Sequence, residues 1–165
     1  MDNIILIGMP GSGKSTVGVV LAKVLGYGFL DADVLIQQRE GKTLHEILDS
    51  VGPWGFNKIE EDVNLGISVD HTVIATGGSA VYGERAMRHF ANLGTIVYLR
   101  VSCEEMIRRV DNVPERGISV ADGVTLQELY RERAPLYEKY ADLTVDVDGC
   151  DISKSVTRLR AALAK

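Results

Sequence analysis

Short apolar runs alternate with segments of helical periodicity along the whole chain. Strand-like runs fall at 3–7, 28–30, 72–75, 95–99 and 143–147. Ile4-Ile5-Leu6-Ile7 and Val73-Ile74-Ala75 are continuously apolar rather than alternating, as expected for strands covered on both faces. Between these runs, helices are predicted at about 15–25, 33–50, 55–67, 84–92, 103–110, 126–139 and 152–163. Val17, Val20, Leu21, Val24 and Leu25 recur at helical spacing, and Gly26 stops that helix. Strands that alternate with helices imply an α/β fold with a parallel sheet and helices on both faces. One stretch, Asn112 to Thr125, fits neither pattern. It carries Pro114, Gly117, Gly123 and a single arginine, Arg116. A loop of this length inside a compact domain reads as a lid over about 112–125, and the alternative is a connector with an incidental arginine.

Composition narrows the class. The 165 residues are 45% hydrophobic and 25% charged, which suits one domain spanning 1–165 that buries about 70% of its unfolded surface. A net charge of −5 argues against general nucleic-acid or anionic-membrane binding. No apolar stretch reaches the length of a membrane-spanning helix. Met1-Asp2-Asn3 leads directly into the first strand with no cationic leader. Cys103 and Cys150 are isolated, and His45, His71 and His89 lack ligand spacing. Reduced thiols, a cytoplasmic location and no metal site built from side chains alone are therefore expected.

The chemistry is concentrated at strand ends. Gly8 to Ser15 reads G-M-P-G-S-G-K-S, between the first strand and the first helix. A glycine-rich turn placed there points successive backbone N–H groups at phosphate, and the helix N-terminus adds its dipole. Lys14 can reach the β- and γ-phosphates, and the Ser15 hydroxyl is placed to ligate Mg²⁺. Asp31 and Asp33 follow the second strand, where an open parallel sheet collects ligands. Asp31 would serve Mg²⁺ and Asp33 would accept the proton of an attacking hydroxyl. One of them, most naturally Asp33, could also cap the helix beginning near Val34. The third strand ends in Thr76-Gly77-Gly78-Ser79, and glycines there let a ligand approach the backbone closely. Arg109 closes a helix just before the suspected lid, where a guanidinium can stack on adenine or meet phosphate. Arg133 lies on a helix read as broken by Pro135 and could fork onto a carboxylate. Either arginine could equally be a solvated surface residue. Asn57-Lys58-Ile59-Glu60 hints at a guanine-binding string, but it lies inside a helical pattern and ends in Glu.

Taken together, these motifs resemble the shikimate kinase family, P-loop kinases of the nucleoside-monophosphate-kinase type. The likeness runs from Asn3 to about Ala162 through the phosphate loop, D-A-D, G-F-x-x-x-E-E at 55–61, A-T-G-G at 75–78, R-R at 108–109 and E-R-x-P-L-Y-x-x-x-A-D at 132–142. It implies a three-layer fold with a five-stranded parallel sheet, an acceptor-binding region at about 33–60, ATP and Mg²⁺ as cofactors, and a monomer. By position, Gly11, Ser12, Gly13, Lys14, Ser15 and Thr16 bind ATP, Arg109 packs on adenine, and Arg116 is the lid arginine. Ser15 and Asp31 hold the metal, while Asp33, Lys14 and Arg116 are catalytic. Asp33, Asn57, Gly77, Gly78, Ser79 and Arg133 form the acceptor site.

Three departures fall in that acceptor region. The family's arginine after the Phe of its G-F-R segment is Asn57 here, and the neighbouring Lys58 points about 100° away around a helix. Its third glycine is Ser79, and its R-P-L-L lid string is Arg116-Gly117-Ile118-Ser119. The expected reaction is transfer of the ATP γ-phosphoryl group to a hydroxyl of a small carboxylic acid, with shikimate as the leading acceptor. Another hydroxy or hydroxyamino acid such as homoserine, or a non-catalytic ATP-binding module, are the alternatives.

Overall fold

A computed structural model describes residues 3–111, 118 and 120–165. Five strands, β1 (Asn3–Ile7), β2 (Gly28–Asp31), β3 (Thr72–Ala75), β4 (Gly94–Arg100) and β5 (Leu143–Asp146), form one parallel sheet in the order β2-β3-β1-β4-β5. β1 is central, with Ile5 paired to Ile74 on one side and to Ile96 on the other. Interleaved with the strands are α1 (Lys14–Leu25), α2 (Ala32–Glu40), α3 (Leu44–Leu65), α4 (Glu84–Leu93), α5 (Cys103–Asp111), α6 (Leu126–Tyr140) and α7 (Ile152–Leu163). The main core gathers fully buried strand residues such as Ile5, Leu6, Ile74, Val97 and Leu99 with Leu21, Phe90, Met106 and Leu159 from the helices. Because every strand runs the same way, the loops after β1, β2, β3 and β5 emerge along one edge of the sheet. No helix among the described residues is long and apolar enough to cross a membrane.

The strand runs and five of the helices lie where periodicity puts them, with ends displaced by a residue or two. The segment 33–50 does not form one helix. α2 stops at Gly41, whose left-handed φ of 64° reverses the chain. α3 then restarts on a capping box, with the Thr43 side chain accepting from the Glu46 N–H and the Glu46 carboxylate accepting from the Thr43 N–H. That T-x-x-E signature stands in the sequence. The expected gap before 55 is instead a kink within α3 at Gly52, where φ is 71° and Pro53 follows. α2 and the two halves of α3 enclose a satellite core of Ile36, Ile47, Phe56 and Val63, so the 33–60 region packs as a lobe of its own beside the sheet.

α6 is not broken by Pro135 either; it is assigned as one helix from Leu126 to Tyr140. Pro135 removes one N–H donor, but Leu129, Arg133 and Tyr137 repeat at four-residue spacing on a fully buried face. Packing of that face outweighs one lost hydrogen bond. Of the proposed lid, residues 112–117 and 119 lie outside the described residues, and Arg116 among them.

Asn3 ties the opening of β1 to two neighbouring segments. Its buried amide donates to the Val69 and Leu93 carbonyls at 2.7 and 3.0 Å and accepts from the Thr72 N–H at 3.0 Å. Truncating it strands three polar groups at the sheet's amino edge, far from the strand ends that carry the phosphate loop. Asn3→Ala is expected to lower unfolding stability by about 2–4 kcal/mol in urea titrations, with the KM for ATP unchanged.

Candidate active site

The phosphate loop takes its shape from glycines that other residues could not replace. Gly8, Gly11 and Gly13 have φ of 152°, 79° and 95°, a region L-residues avoid. A Cβ on Gly8 would stand 2.7 Å from the Leu99 carbonyl oxygen. The Ser12 N–H returns to the Met9 carbonyl at 3.1 Å and closes the turn. Lys14 opens α1 and folds back into the loop. It is only 7% exposed, and its ammonium donates to the Gly8 and Met9 carbonyls at 2.8 Å each and reaches Ser12 Oγ at 3.4 Å. The loop thus carries its own cation at the N-terminus of a twelve-residue helix. The Thr16 hydroxyl donates to the Gly13 carbonyl at 3.3 Å and fastens the helix start to the loop.

At the end of β2, Asp31 does two things at once. Its Oδ1 accepts from the Asp33 N–H at 3.0 Å and caps α2, and its Oδ2 accepts from the Ser15 hydroxyl at 2.6 Å. The capping residue is therefore Asp31 and not Asp33, because α2 begins at Ala32, two residues before the expected start. That leaves the Asp33 carboxyl facing the loop after β3. Its Oδ1 lies 2.9 Å from where a Gly77 Cβ would stand. A side chain at Gly77 would collide with Asp33 and with Oε2 of Glu60 together, so only glycine fits between these two carboxyls. Gly78 is similarly pressed, by Pro10 at 3.0 Å and an Arg133 guanidinium nitrogen at 3.1 Å from its missing Cβ.

These pieces border one cleft of about 750 Å³. Pro10 to Val17 line one end, with Arg109 and Gly149 to Ile152 around them, while Asp33, Phe56, Thr76 to Ser79 and Arg133 line the other. Arg109 is not a free surface residue. Its guanidinium bonds to Glu105 at 2.8 Å, to the Gly11 carbonyl at 3.2 Å and to the Val147 carbonyl at 3.3 Å. Arg108 and Arg109 together hold the Glu105 carboxyl down near a pKa of about 2. Arg133 is 1% exposed, with its Nε donating to the Tyr82 hydroxyl at 3.3 Å and its guanidinium 5.3 Å from the Tyr82 ring centre. A guanidinium this buried at a cleft wall suits an anion with a planar, two-oxygen face. Asp31 and Asn57 do not border the cleft among the described residues. Asp31 stands behind Ser15. Asn57 is half-buried, next to Phe56 on α3.

Two groups essential to this geometry were assigned no role from the sequence. Tyr137 is fully buried and donates its hydroxyl to the Gly78 carbonyl, fixing the loop after β3. Glu60 is 1% exposed and accepts from the Ser79 hydroxyl at 2.6 Å through Oε1, while Oε2 has no hydrogen-bond partner among the described residues. Burial pushes its carboxyl up to about 7; the Ser79 hydrogen bond and the charges of Arg133 and Lys14 pull it down, and the nearby Asp33 raises it further. The signal was present in its position. Glu60 follows Phe56 by four and precedes Val63 by three, which puts a carboxyl on the buried face of an amphipathic helix.

The family model described as shikimate kinase matches residues 10–164. Shikimate kinase of Mycobacterium avium is 40% identical over 166 residues, covering 95% of this chain and 93% of the relative. That of Mycobacterium tuberculosis is 41% identical over 149 residues, covering 87% and 83%. Among solved structures, shikimate kinase from Acinetobacter baumannii in complex with shikimate matches at a TM-score of 0.91 and 29% identity, covering 99% of this chain and 93% of that one.

The buried Glu60 gives the fold a pH signature. An unfolded glutamate gives up its proton near pH 4.5, whereas folded Glu60 keeps it to about pH 7. The folded state binds more protons across that window, so this group's contribution to stability falls as pH rises through it. Glu60→Gln cannot ionise. Its melting temperature relative to the native chain is expected to rise between pH 5 and pH 8, with the gain complete above pH 7. A difference that stays constant with pH would contradict the assignment.

Proposed function

From the premise that this chain belongs to the shikimate kinase family, ATP-dependent phosphotransferases that act on a hydroxyl group, we propose that it transfers the γ-phosphoryl group of ATP to a hydroxyl of shikimate, with Mg²⁺ as the accompanying ion. One observation carries this reading. A single cleft joins a phosphate loop with its own lysine to a carboxyl, Asp33, and to a buried guanidinium, Arg133. Nucleotide phosphates and a hydroxy acid can therefore meet within one enclosed space. The relative from Acinetobacter baumannii is a complex with shikimate, which supports that acceptor.

In this mechanism the N–H groups of Gly11, Gly13 and the start of α1 gather the phosphates, with Ser12 holding the turn. Lys14 exchanges its carbonyl partners for phosphate oxygens and steadies charge on the transferred group. Ser15 and Asp31, two hard oxygen donors already hydrogen-bonded to each other, are the residues that would hold Mg²⁺. When bound, the ion neutralises part of the phosphate charge. Arg133 grips the acceptor carboxylate, and Gly77, Gly78 and Ser79 form the surface on which the acceptor ring rests. Asp33 orients the acceptor hydroxyl and takes its proton as the oxygen attacks the γ-phosphorus. The bond to the β-phosphate then breaks, and ADP leaves. Arg109, held by Glu105 and Gly11, presents a flat cation to the adenine. Arg116 and the 112–125 segment are assigned to closure over the phosphates, on the strength of the family pattern. The enzyme is assigned as a monomer.

A second acceptor class has one specific support. With Asn57 in place of an arginine and Glu60 buried alongside, the α3 wall is poorer in positive charge. A hydroxyamino acid, whose ammonium would accept that loss, is the competing substrate.

Two variants test the assignment. Asp33→Asn is expected to reduce kcat with shikimate by about 10²- to 10⁴-fold while the KM for ATP stays within about twofold; near-native turnover would remove Asp33 as the base. Asn57→Arg is expected to lower the KM for shikimate. An unchanged or higher KM would count against placing the acceptor beside α3.

A further inference from the structure

Ser79 joins the loop after β3 to helix α3 through a polar side chain in the cleft wall. It is 5% exposed and borders the cleft. It precedes the short 3₁₀ turn Ala80–Tyr82, yet its hydroxyl makes no cap there. Instead it donates to Oε1 of Glu60 at 2.6 Å. Glu60 is buried on α3, and its other oxygen, Oε2, has no hydrogen-bond partner among the described residues and abuts Gly77. That same space is approached by Oδ1 of Asp33. The charged groups that act on Glu60 come from three further elements: Asp33 on α2, Arg133 on α6 and Lys14 on α1. Ser79 supplies the hydrogen bond to the carboxyl.

Building on the acceptor reading above, we propose that Ser79 is a positioning residue for the phosphoryl acceptor: its hydroxyl fixes the Glu60 carboxyl beneath Gly77 and so sets the shape and charge of the acceptor floor. Without the hydroxyl, both Glu60 oxygens lack a donor in a buried site. A carboxyl so placed regains hydrogen bonding by keeping its proton or by turning about its terminal bond, and either change alters what Gly77 and Asp33 present to the acceptor. The direction is set by chemistry. A hydroxyl donated to a carboxylate favours the ionised form, so its removal moves Glu60 titration upward from about pH 7.

The test pairs kinetics with a direct titration. Ser79→Ala and Ser79→Thr are compared with the native chain for ATP and shikimate turnover between pH 5.5 and 8.5. The Glu60 side-chain carboxyl is followed by ¹³C NMR in the same proteins without substrate. Ser79→Ala is expected to raise the KM for shikimate about three- to tenfold at pH 7, with kcat and the KM for ATP within about twofold. It should also move the acidic limb of kcat/KM and the Glu60 midpoint to higher pH, and Ser79→Thr should return both toward native values. An unmoved Glu60 midpoint in Ser79→Ala would overturn the proposal, as would equal losses in the KM values for ATP and shikimate. If the native chain does not phosphorylate shikimate, the acceptor reading itself fails. The NMR midpoint then decides the role of Ser79 alone: an upward shift in Ser79→Ala sustains its hold on Glu60, and no shift removes it.

Discussion

Strand β1 is hydrogen-bonded on both sides, to β3 and to β4, in parallel register, and the remaining chemistry depends on that placement. A strand so enclosed cannot shift without exposing Ile4 to Ile7, all of them buried. Its carboxyl end is therefore a fixed point, and the chain must turn there into α1 with N–H groups converging. The Thr76 hydroxyl bonds the Leu6 carbonyl at 2.8 Å and locks the end of β3 to the same point. Phosphate loop and acceptor floor are thus held to one strand end. This rigidity comes with three buried ionisable side chains, Lys14, Glu60 and Arg133, whose desolvation the core of five strands and their covering helices offsets.

The acceptor side is the electrically expensive part. A buried Arg133 and a buried Glu60 are both poorly solvated, and charges placed so are seldom worth their desolvation in stability alone. Arg133 rests against Tyr82, and among the described residues Glu60 keeps one oxygen without a hydrogen-bond partner. Such unfinished polar contacts around a cleft are the mark of groups arranged for a ligand. The lobe built from α2 and α3, with its own small core, carries Asp33 and Glu60 and is tied to the sheet edge through Asp31 on Ser15 and Glu60 on Ser79.

Much of this was legible in the chain. The phosphate loop, the positions of the strand runs and the Asp31/Asp33 pair followed from local pattern, because each depends on residues close in sequence. The breaks in the 33–60 region were harder. Periodicity continues across Gly41, and only the Thr43–Glu46 capping box signals the restart. Pro135 misled in the opposite direction, since the burial of Arg133 and Tyr137 is a tertiary fact that keeps α6 intact. Tyr137 meeting Gly78, and Ser79 meeting Glu60, join residues 59 and 19 positions apart. No local rule pairs them. The Glu60 motif could be read, but its consequence required knowing that Gly77 leaves room for two carboxyls.

The central claim is that one cleft brings ATP and a hydroxy acid together for phosphoryl transfer, and that the acceptor is shikimate despite Asn57 and Ser79. The most direct measurement is steady-state ATP consumption, with ³¹P NMR of the product, across shikimate, homoserine, serine, threonine and gluconate. The account predicts that shikimate alone is turned over at an ordinary enzymatic rate, giving a phosphate monoester of the acid. Silence with shikimate together with turnover of an amino acid would contradict it, and would mean that the altered α3 wall had changed the substrate of a retained kinase.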